Sequence, residues 1–142
     1  MLSLLDPLTR LAVAAALGAI LGAEREYRRK AAGLRTNALI SLGSALFTLM
    51  SIELVPGGSG DPSRIAAQIV TGIGFLGGGA ILRTGLSIQG LTTAATIWVV
   101  AAVGVAAGAG KYAIALIATA VAFVILTALN PVEELIEPDE KK

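Results

Sequence analysis

Polar and charged residues of this sequence cluster where apolar segments begin and end. Glu24 and Arg25 close the first apolar segment, and similar residues open the second and fourth segments and follow the third. If successive segments run in opposite directions, all of these residues meet on one side. Two helix N-termini would point there, each with about half a positive charge and free N–H groups. One hypothesis is a site for a small phosphate-like anion or an acidic partner segment, formed by Glu24, Arg25, Arg35, Thr36, Asn37, Arg83, Thr92 and Thr93.

The same residues also fit a structural interpretation, which we prefer. Glu24 can pair internally with Arg35 or Arg83, which would neutralise these charges without a ligand. Three of the polar residues that open helices have side chains typical of caps, namely Thr36, Asn37 and Thr92. Under this interpretation the cluster holds the helices together and binds nothing.

A run of glycines in the third apolar segment is the second unusual feature. It comprises Gly72, Gly74, Gly77, Gly78 and Gly79. Glycine lets neighbouring helix backbones approach closely, and tight packing is the interpretation that we prefer. Successive glycines also weaken a helix, so the alternative is an unwound helix whose carbonyls line a cavity, as in transporters. The pairs Gly18/Gly22 and Gly104/Gly108 have similar spacing, and we interpret both as packing faces.

The residue types that most enzymes need are absent or scattered. The sequence has no cysteine and no histidine, which excludes thiol nucleophiles, cysteine metal sites and the commonest general base. It contains no nucleophile–base pair, phosphate-binding loop or metal-ligand cluster. We therefore predict a protein that is not an enzyme and that holds no metal or cofactor. The net charge of +1 gives no reason to expect nucleic acid as a partner.

The composition predicts an all-α integral membrane protein. Of 142 residues, 55% are hydrophobic and only 15% are charged, which is too little polar surface for a soluble domain of this size. Buried helices of a soluble bundle are the alternative, but no segment shows the polar face that they require. Turn and charge signals delimit about five transmembrane helices, at 8–23, 36–55, 61–82, 91–108 and 112–129. Residues 1–130 form the predicted transmembrane domain, and residues 131–142 a short charged cytoplasmic tail.

Basic residues predict the orientation of these helices. The first helix is followed by a basic cluster of Arg25, Arg28, Arg29, Lys30 and Arg35. By the positive-inside rule this loop is cytoplasmic, which predicts an N-out, C-in topology. The segments 33–38 (GLRTNA) and 90–95 (GLTTAA) are alike, and both open a helix from the predicted inner side. They suggest that helices one-two and three-four are parallel copies; otherwise the motif is simply a good loop-to-helix junction.

Several of these motifs together resemble the MgtC/SapB family of bacterial inner-membrane proteins. They are residues 22–26 with 32–39 (GAERE and AGLRTNAL), 72–81 (GIGFLGGGAI) and 90–98 (GLTTAATIW). They follow one another in the order found in the family, over roughly residues 18–108. The combination is specific, whereas any one of the motifs alone is not.

The resemblance implies a five-span domain of the bacterial inner membrane. Family members look like non-enzymatic regulators linked to magnesium or phosphate limitation and to survival inside macrophages. They act through other membrane proteins such as the ATP synthase, and longer members carry a soluble C-terminal domain of the ACT-like kind. From the glycine-rich faces we also expect a homodimer in the lipid bilayer. The alternative function is a small-ion transporter or channel with a glycine-broken helix.

Overall fold

The computed structural model describes residues 5–55, 61 and 63–129. Within these ranges the chain forms five helices, α1 (Leu5–Tyr27), α2 (Leu34–Glu53), α3 (Ser63–Gly79), α4 (Leu91–Gly108) and α5 (Tyr112–Ala128). Two short strands, β1 (Leu82–Thr84) and β2 (Ser87–Gln89), lie between α3 and α4. The predicted all-α fold class is confirmed, with this hairpin as an addition. The predicted tail, residues 131–142, lies outside the described residues.

The hairpin replaces the last turn that the sequence predicted for α3. That helix was expected to reach Leu82, but it ends at Gly79, and Leu82 instead pairs with Gln89 in an antiparallel ladder. Consecutive glycines at the helix end favour termination because each loses more backbone freedom in a helix than other residues do. Gly85 has a φ of 64° and supplies the positive φ that a two-residue hairpin turn needs.

Two helices, α1 and α4, are long and apolar enough to cross a bilayer. The apolar helix α5 has 17 residues, which is at the lower limit for a span. The fourth helix begins and ends where the sequence predicted, whereas α1 extends beyond its predicted bounds at both ends. A membrane protein is thus supported, while the five spans and the N-out, C-in orientation stay predictions.

Glycines of α1 and α4 bring both helices into backbone contact with α2. A Cβ built at Gly18 would lie 2.5 Å from the carbonyl oxygen of Asn37, and one at Gly108 would lie 2.5 Å from that of Ala45. At Gly104 the added carbon would collide with the carbonyl oxygen of Ser41. The predicted packing faces Gly18/Gly22 and Gly104/Gly108 are therefore confirmed, and α2 is the helix against which both pack.

The face of α2 that these helices cover is polar. Five of its buried side chains carry hydroxyl or amide groups and recur at alternating spacings of four and three residues: Asn37, Ser41, Ser44, Thr48 and Ser51. We call this row the polar seam. Small polar side chains let helices approach closely in lipid and can satisfy their hydrogen bonds along their own backbone. The Thr48 hydroxyl does so, donating to the carbonyl oxygen of Ser44 at 2.8 Å.

Candidate functional site

A buried arginine ties the end of α1 to the start of α4. Arg25 is only 5% exposed, and its Nη2 donates to the hydroxyl of Thr93 at 2.8 Å. Arg25 lies three residues after Gly22 and seven after Gly18, so it occupies the α1 face that packs on α2. Close packing of α1 therefore leaves this guanidinium buried, with its hydrogen bond made to α4.

The neighbouring carboxylate pairs in a way that the sequence did not predict. Glu24 is buried, and its Oε1 lies 2.6 Å from Nε of Arg28, one turn further along the chain. The expected pairing with Arg35 or Arg83 is therefore wrong in this structure. Arg28 also donates from Nη2 to the carbonyl oxygen of Thr127 at 3.5 Å, so it links α1 to the C-terminal end of α5. A cation at a helix C-terminus is favourable because the free carbonyls there carry partial negative charge.

Asn37 holds the loop between α1 and α2. It is fully buried, and its Nδ2 donates to the carbonyl oxygens of Ala32 and Gly33. Ala32 has a φ of 57°, which an alanine rarely adopts, so this loop conformation needs such support. The expected role of Asn37 as a plain N-terminal cap is corrected, because its amide bonds carbonyls that precede the helix rather than free N–H groups.

Glu26 accepts a hydrogen bond at the start of α2. The backbone N–H of Leu34 donates to its Oε2 at 2.8 Å. Gly33 and Gly90 are the N-cap residues of α2 and α4, so the expectation that Thr36 and Thr92 cap these helices is wrong. Gly33 is extended, whereas Gly90 has a φ of 88°. The two similar motifs therefore open their helices at the same position but with different backbone conformations.

The predicted site residues divide into a buried and an exposed group. Glu24 and Arg25 of α1, Asn37 of α2 and Thr93 of α4 are buried, and we call them the inner cluster. The remaining members, Arg35, Thr36, Arg83 and Thr92, are exposed. Nε of Arg83 donates to the carbonyl oxygen of Gly85 at 3.2 Å, so this arginine also stabilises the hairpin turn. The inner cluster can hold helices together, and the exposed cations can meet a partner from outside.

Some polar atoms near the inner cluster have no hydrogen-bond partner among the described residues. They are Nε of Arg25, Oε2 of Glu24, Oδ1 of Asn37 and the hydroxyl of Ser41. Buried polar atoms of this kind are usually bonded to ordered water. Among the described residues, no group of three or more acidic or metal-binding side chains could hold a metal ion.

The glycine run of α3 is helical throughout. Gly72, Gly74, Gly77, Gly78 and Gly79 all lie within the helix, which differs from the unwound segment that the transport alternative expects. A Cβ built at Gly77 would meet Ala94 of α4 at 3.6 Å, which is ordinary contact. At the other four positions nothing lies within 4 Å. Among these five glycines, Gly77 is the one that faces a neighbouring helix in the part of the chain that the structure describes.

Sequence reasoning missed three contributors to this region. Arg28 and Glu26 form the links described above, and the polar seam of α2 lies beneath the inner cluster. The four-residue spacing of Glu24 and Arg28 is a signal for a helical ion pair that could have been used. The seam could have been found from the spacing of hydroxyl residues between 37 and 51.

Comparison with known proteins identifies the family. Residues 11–135 match the sequence profile of the MgtC family. The chain belongs to the MgtC family. Protein MgtC of Salmonella typhimurium is 54% identical over 103 residues, which are 72% of this chain and 43% of that protein. Protein MgtC of Brucella abortus is 48% identical over 127 residues, covering 89% of this chain and 52% of that protein.

A third relative from Synechocystis, described as uncharacterized, is 47% identical over 131 residues, covering 92% of this chain and 55% of that protein. No solved structure matches the chain. The resemblance to MgtC proteins stated from the motifs is confirmed, and with it the membrane character of the chain. This chain spans about half the length of the curated MgtC relatives that it matches. The matched region, residues 11–135, contains the inner cluster, the polar seam and the glycine run.

Proposed function

We propose that this chain is a non-enzymatic regulator in the bacterial inner membrane, linked to magnesium or phosphate limitation and to intracellular survival. It acts through contacts with other membrane proteins, such as the ATP synthase, and moves no ion through itself. Membership in the MgtC family supports the general type of function. The packing of α1 and α4 on the backbone of α2 supports the regulatory mode, because such contact leaves little room for a pathway between them.

The continuous helix α3 is the single observation that carries this choice. A carrier that binds ions with backbone carbonyls needs non-helical backbone at membrane depth. The carbonyls of Gly72 and Gly74 lie within α3, where the helical hydrogen bonds use them. A regulator requires only a packed domain with polar groups at its surface, which the exposed Arg35 and Arg83 supply for an acidic partner segment.

We predict that the chain restores growth without carrying ions. In a bacterium that lacks its own MgtC, expression of this chain should improve growth in low-magnesium medium. Liposomes that contain the purified protein should take up no more magnesium or phosphate than empty liposomes, as measured with a magnesium-sensitive dye and labelled phosphate. Uptake is measured on the isolated chain, so this result does not depend on the parts of longer relatives that it does not match.

The contrary result would be uptake that scales with the amount of protein. If Gly77→Leu abolished such uptake while Gly43→Ala did not, α3 would be a pathway and the regulatory proposal would be wrong. Gly43 is a suitable control because nothing lies within 4 Å of a Cβ placed there.

We further propose that the chain forms a homodimer through the outer face of α3. Each of the pairs Gly18/Gly22 and Gly104/Gly108 packs on the backbone of another helix, whereas a Cβ at Gly74 or Gly78 meets none of the described residues within 4 Å. Phe75, between these two glycines, is 85% exposed. Paired small residues of this kind commonly bring membrane helices together.

The Gly78→Leu variant is expected to lower the dimer fraction in mild detergent by about tenfold. The added side chain would separate two copies at their closest approach, whereas a Cβ at this position meets no described atom of its own chain within 4 Å. Crosslinking and native mass spectrometry would measure the dimer fraction, with Gly43→Ala as control. An unchanged dimer fraction in Gly78→Leu would exclude this face as the interface.

A further inference from the structure

A groove of about 510 Å³ lies between α2 and α3. Its lining is almost entirely apolar and includes Ile40, Gly43 and Phe47 of α2. The α3 side contributes Gln68, Gly72 and Leu76. Gly43 and Gly72 leave it open, because a Cβ at either position would meet nothing within 4 Å. The volume falls within the range of small-molecule sites, which are typically apolar with a few polar groups.

The groove continues a row of residues that leads to one end of α3. Arg64, Gln68, Gly72 and Leu76 are spaced by four, so they lie on one side of the helix. Asp61 comes one turn before Arg64, whose backbone N–H donates to the Asp61 carbonyl oxygen at 3.3 Å. From the helix end inward, the row therefore runs from a carboxylate through a cation and an amide to an apolar slot.

Both charged groups of this row are exposed, and neither forms an ion pair with a described residue. The hydroxyl and backbone N–H of Ser63 both donate to Oδ1 of Asp61, at 2.6 and 2.8 Å, which lowers the pKa of this carboxyl. Asp61 is therefore ionised, and its Oδ2 accepts no bond from the described residues. Glu53, at the end of α2, adds a second carboxylate to this end of the helix pair.

We propose that the α2–α3 groove binds one phospholipid with a zwitterionic headgroup that carries a primary amine, such as phosphatidylethanolamine. One acyl chain lies in the groove, and the Gln68 amide bonds an ester carbonyl of the glycerol backbone. The phosphate meets Arg64, and the ammonium meets Asp61. A phospholipid of this class presents the same order of groups from its tail to its headgroup.

The charges at the mouth of the groove select this headgroup class. An anionic headgroup such as phosphatidylglycerol would meet Arg64 favourably but would be repelled by the carboxylates of Asp61 and Glu53. A quaternary amine donates no hydrogen bond to a carboxylate, whereas a primary ammonium does. A helix with its side chains is about 10 Å wide, so a groove of about 510 Å³ fits an acyl chain better than a helix of a second copy.

Native mass spectrometry of the whole chain in mild detergent tests this proposal. The protein is titrated with phosphatidylethanolamine, phosphatidylglycerol or phosphatidylcholine of identical acyl chains. We expect the first to bind most tightly, and Gly72→Leu, which fills the groove, to weaken its binding by about tenfold. The matched control is Gly78→Leu on the outer face of α3, which should keep the lipid. Circular dichroism checks that each variant is helical.

Substitutions at the two residues that meet the headgroup separate the two charged contacts. Arg64→Gln should weaken phosphatidylethanolamine and phosphatidylglycerol alike, because both carry the phosphate that it meets. Asp61→Asn should lower the preference for phosphatidylethanolamine over phosphatidylglycerol, with Glu53 left to repel the anionic headgroup. If every variant bound all three lipids equally, the bound molecules would be unspecific annular lipid, and the proposal would be wrong. A Gly72→Leu variant that loses its dimer but keeps its lipid would also overturn it, since the groove would then be a protein interface.

Discussion

Replacing Gly104 with alanine should lower the free energy of unfolding by about 3 kcal/mol, at the upper end of the cost of overpacking. The added methyl group would collide with the Ser41 carbonyl oxygen and would lie 2.8 Å from the Ser44 Cβ. The colliding oxygen belongs to a helix backbone and cannot rotate away. Helices α2 and α4 would have to separate along the polar seam. An SDS titration of the detergent-solubilised protein would measure this loss.

Gly43→Ala is the matched control for that experiment. It makes the same chemical change on α2, where the new methyl group meets nothing within 4 Å. Because alanine is the better helix former, this variant should gain about 0.5–1 kcal/mol of stability. If the two variants lost equal stability, the loss would come from replacing a helical glycine at any position. The backbone contact between α2 and α4 would then not be what holds these helices together.

Replacing Arg25 with glutamine should also destabilise the protein strongly, by about 3 kcal/mol. Arg25 is 5% exposed and donates to Thr93, and removing one member of a buried charged group leaves its neighbours uncompensated. The ion pair of Glu24 with Arg28 does not involve Arg25, so the variant leaves it in place. The SDS titration again provides the measurement, and Thr93→Val should reproduce part of the loss because it removes the acceptor alone.

Arg35→Gln and Arg83→Gln separate the structural from the binding interpretation of the charged cluster. Both arginines are exposed, so these variants should change stability by less than about 0.5 kcal/mol. If they bind an acidic partner or an anion, the double variant should fail to restore growth in low magnesium while it stays folded. Normal growth with this double variant would leave only the structural role for the cluster.

The features that the sequence predicted well are those that depend on one helix at a time. The bounds of α4 and the packing faces of Gly18/Gly22 and Gly104/Gly108 follow from apolar runs and from residue spacing along a single helix. The family resemblance also came from contiguous motifs. Each signal is local in the sequence, although only the motifs in combination, over roughly residues 18–108, are specific to the family.

The features that the sequence did not predict depend on how helices meet. The bond from Arg25 to Thr93 joins residues 68 positions apart. The spacing from Gly18 and Gly22 places Arg25 on a packing face, but nothing local identifies Thr93 as its partner. The expected partners of Glu24 were wrong because the helical turn supplied a nearer cation, Arg28. The hairpin after α3 was missed because an apolar run of a few residues fits a helix end as well as a strand.

The polar seam has a consequence for how this chain enters the membrane during synthesis. Where α2 crosses the membrane as the sequence predicts, its side of hydroxyl and amide groups makes it a poor candidate for leaving the translocon into lipid alone. Helix α1 covers part of this side and is joined to α2 by a loop of only a few residues. Insertion of α1 and α2 as a preassembled pair, held until α4 is synthesised and covers the rest, keeps these groups out of hydrocarbon.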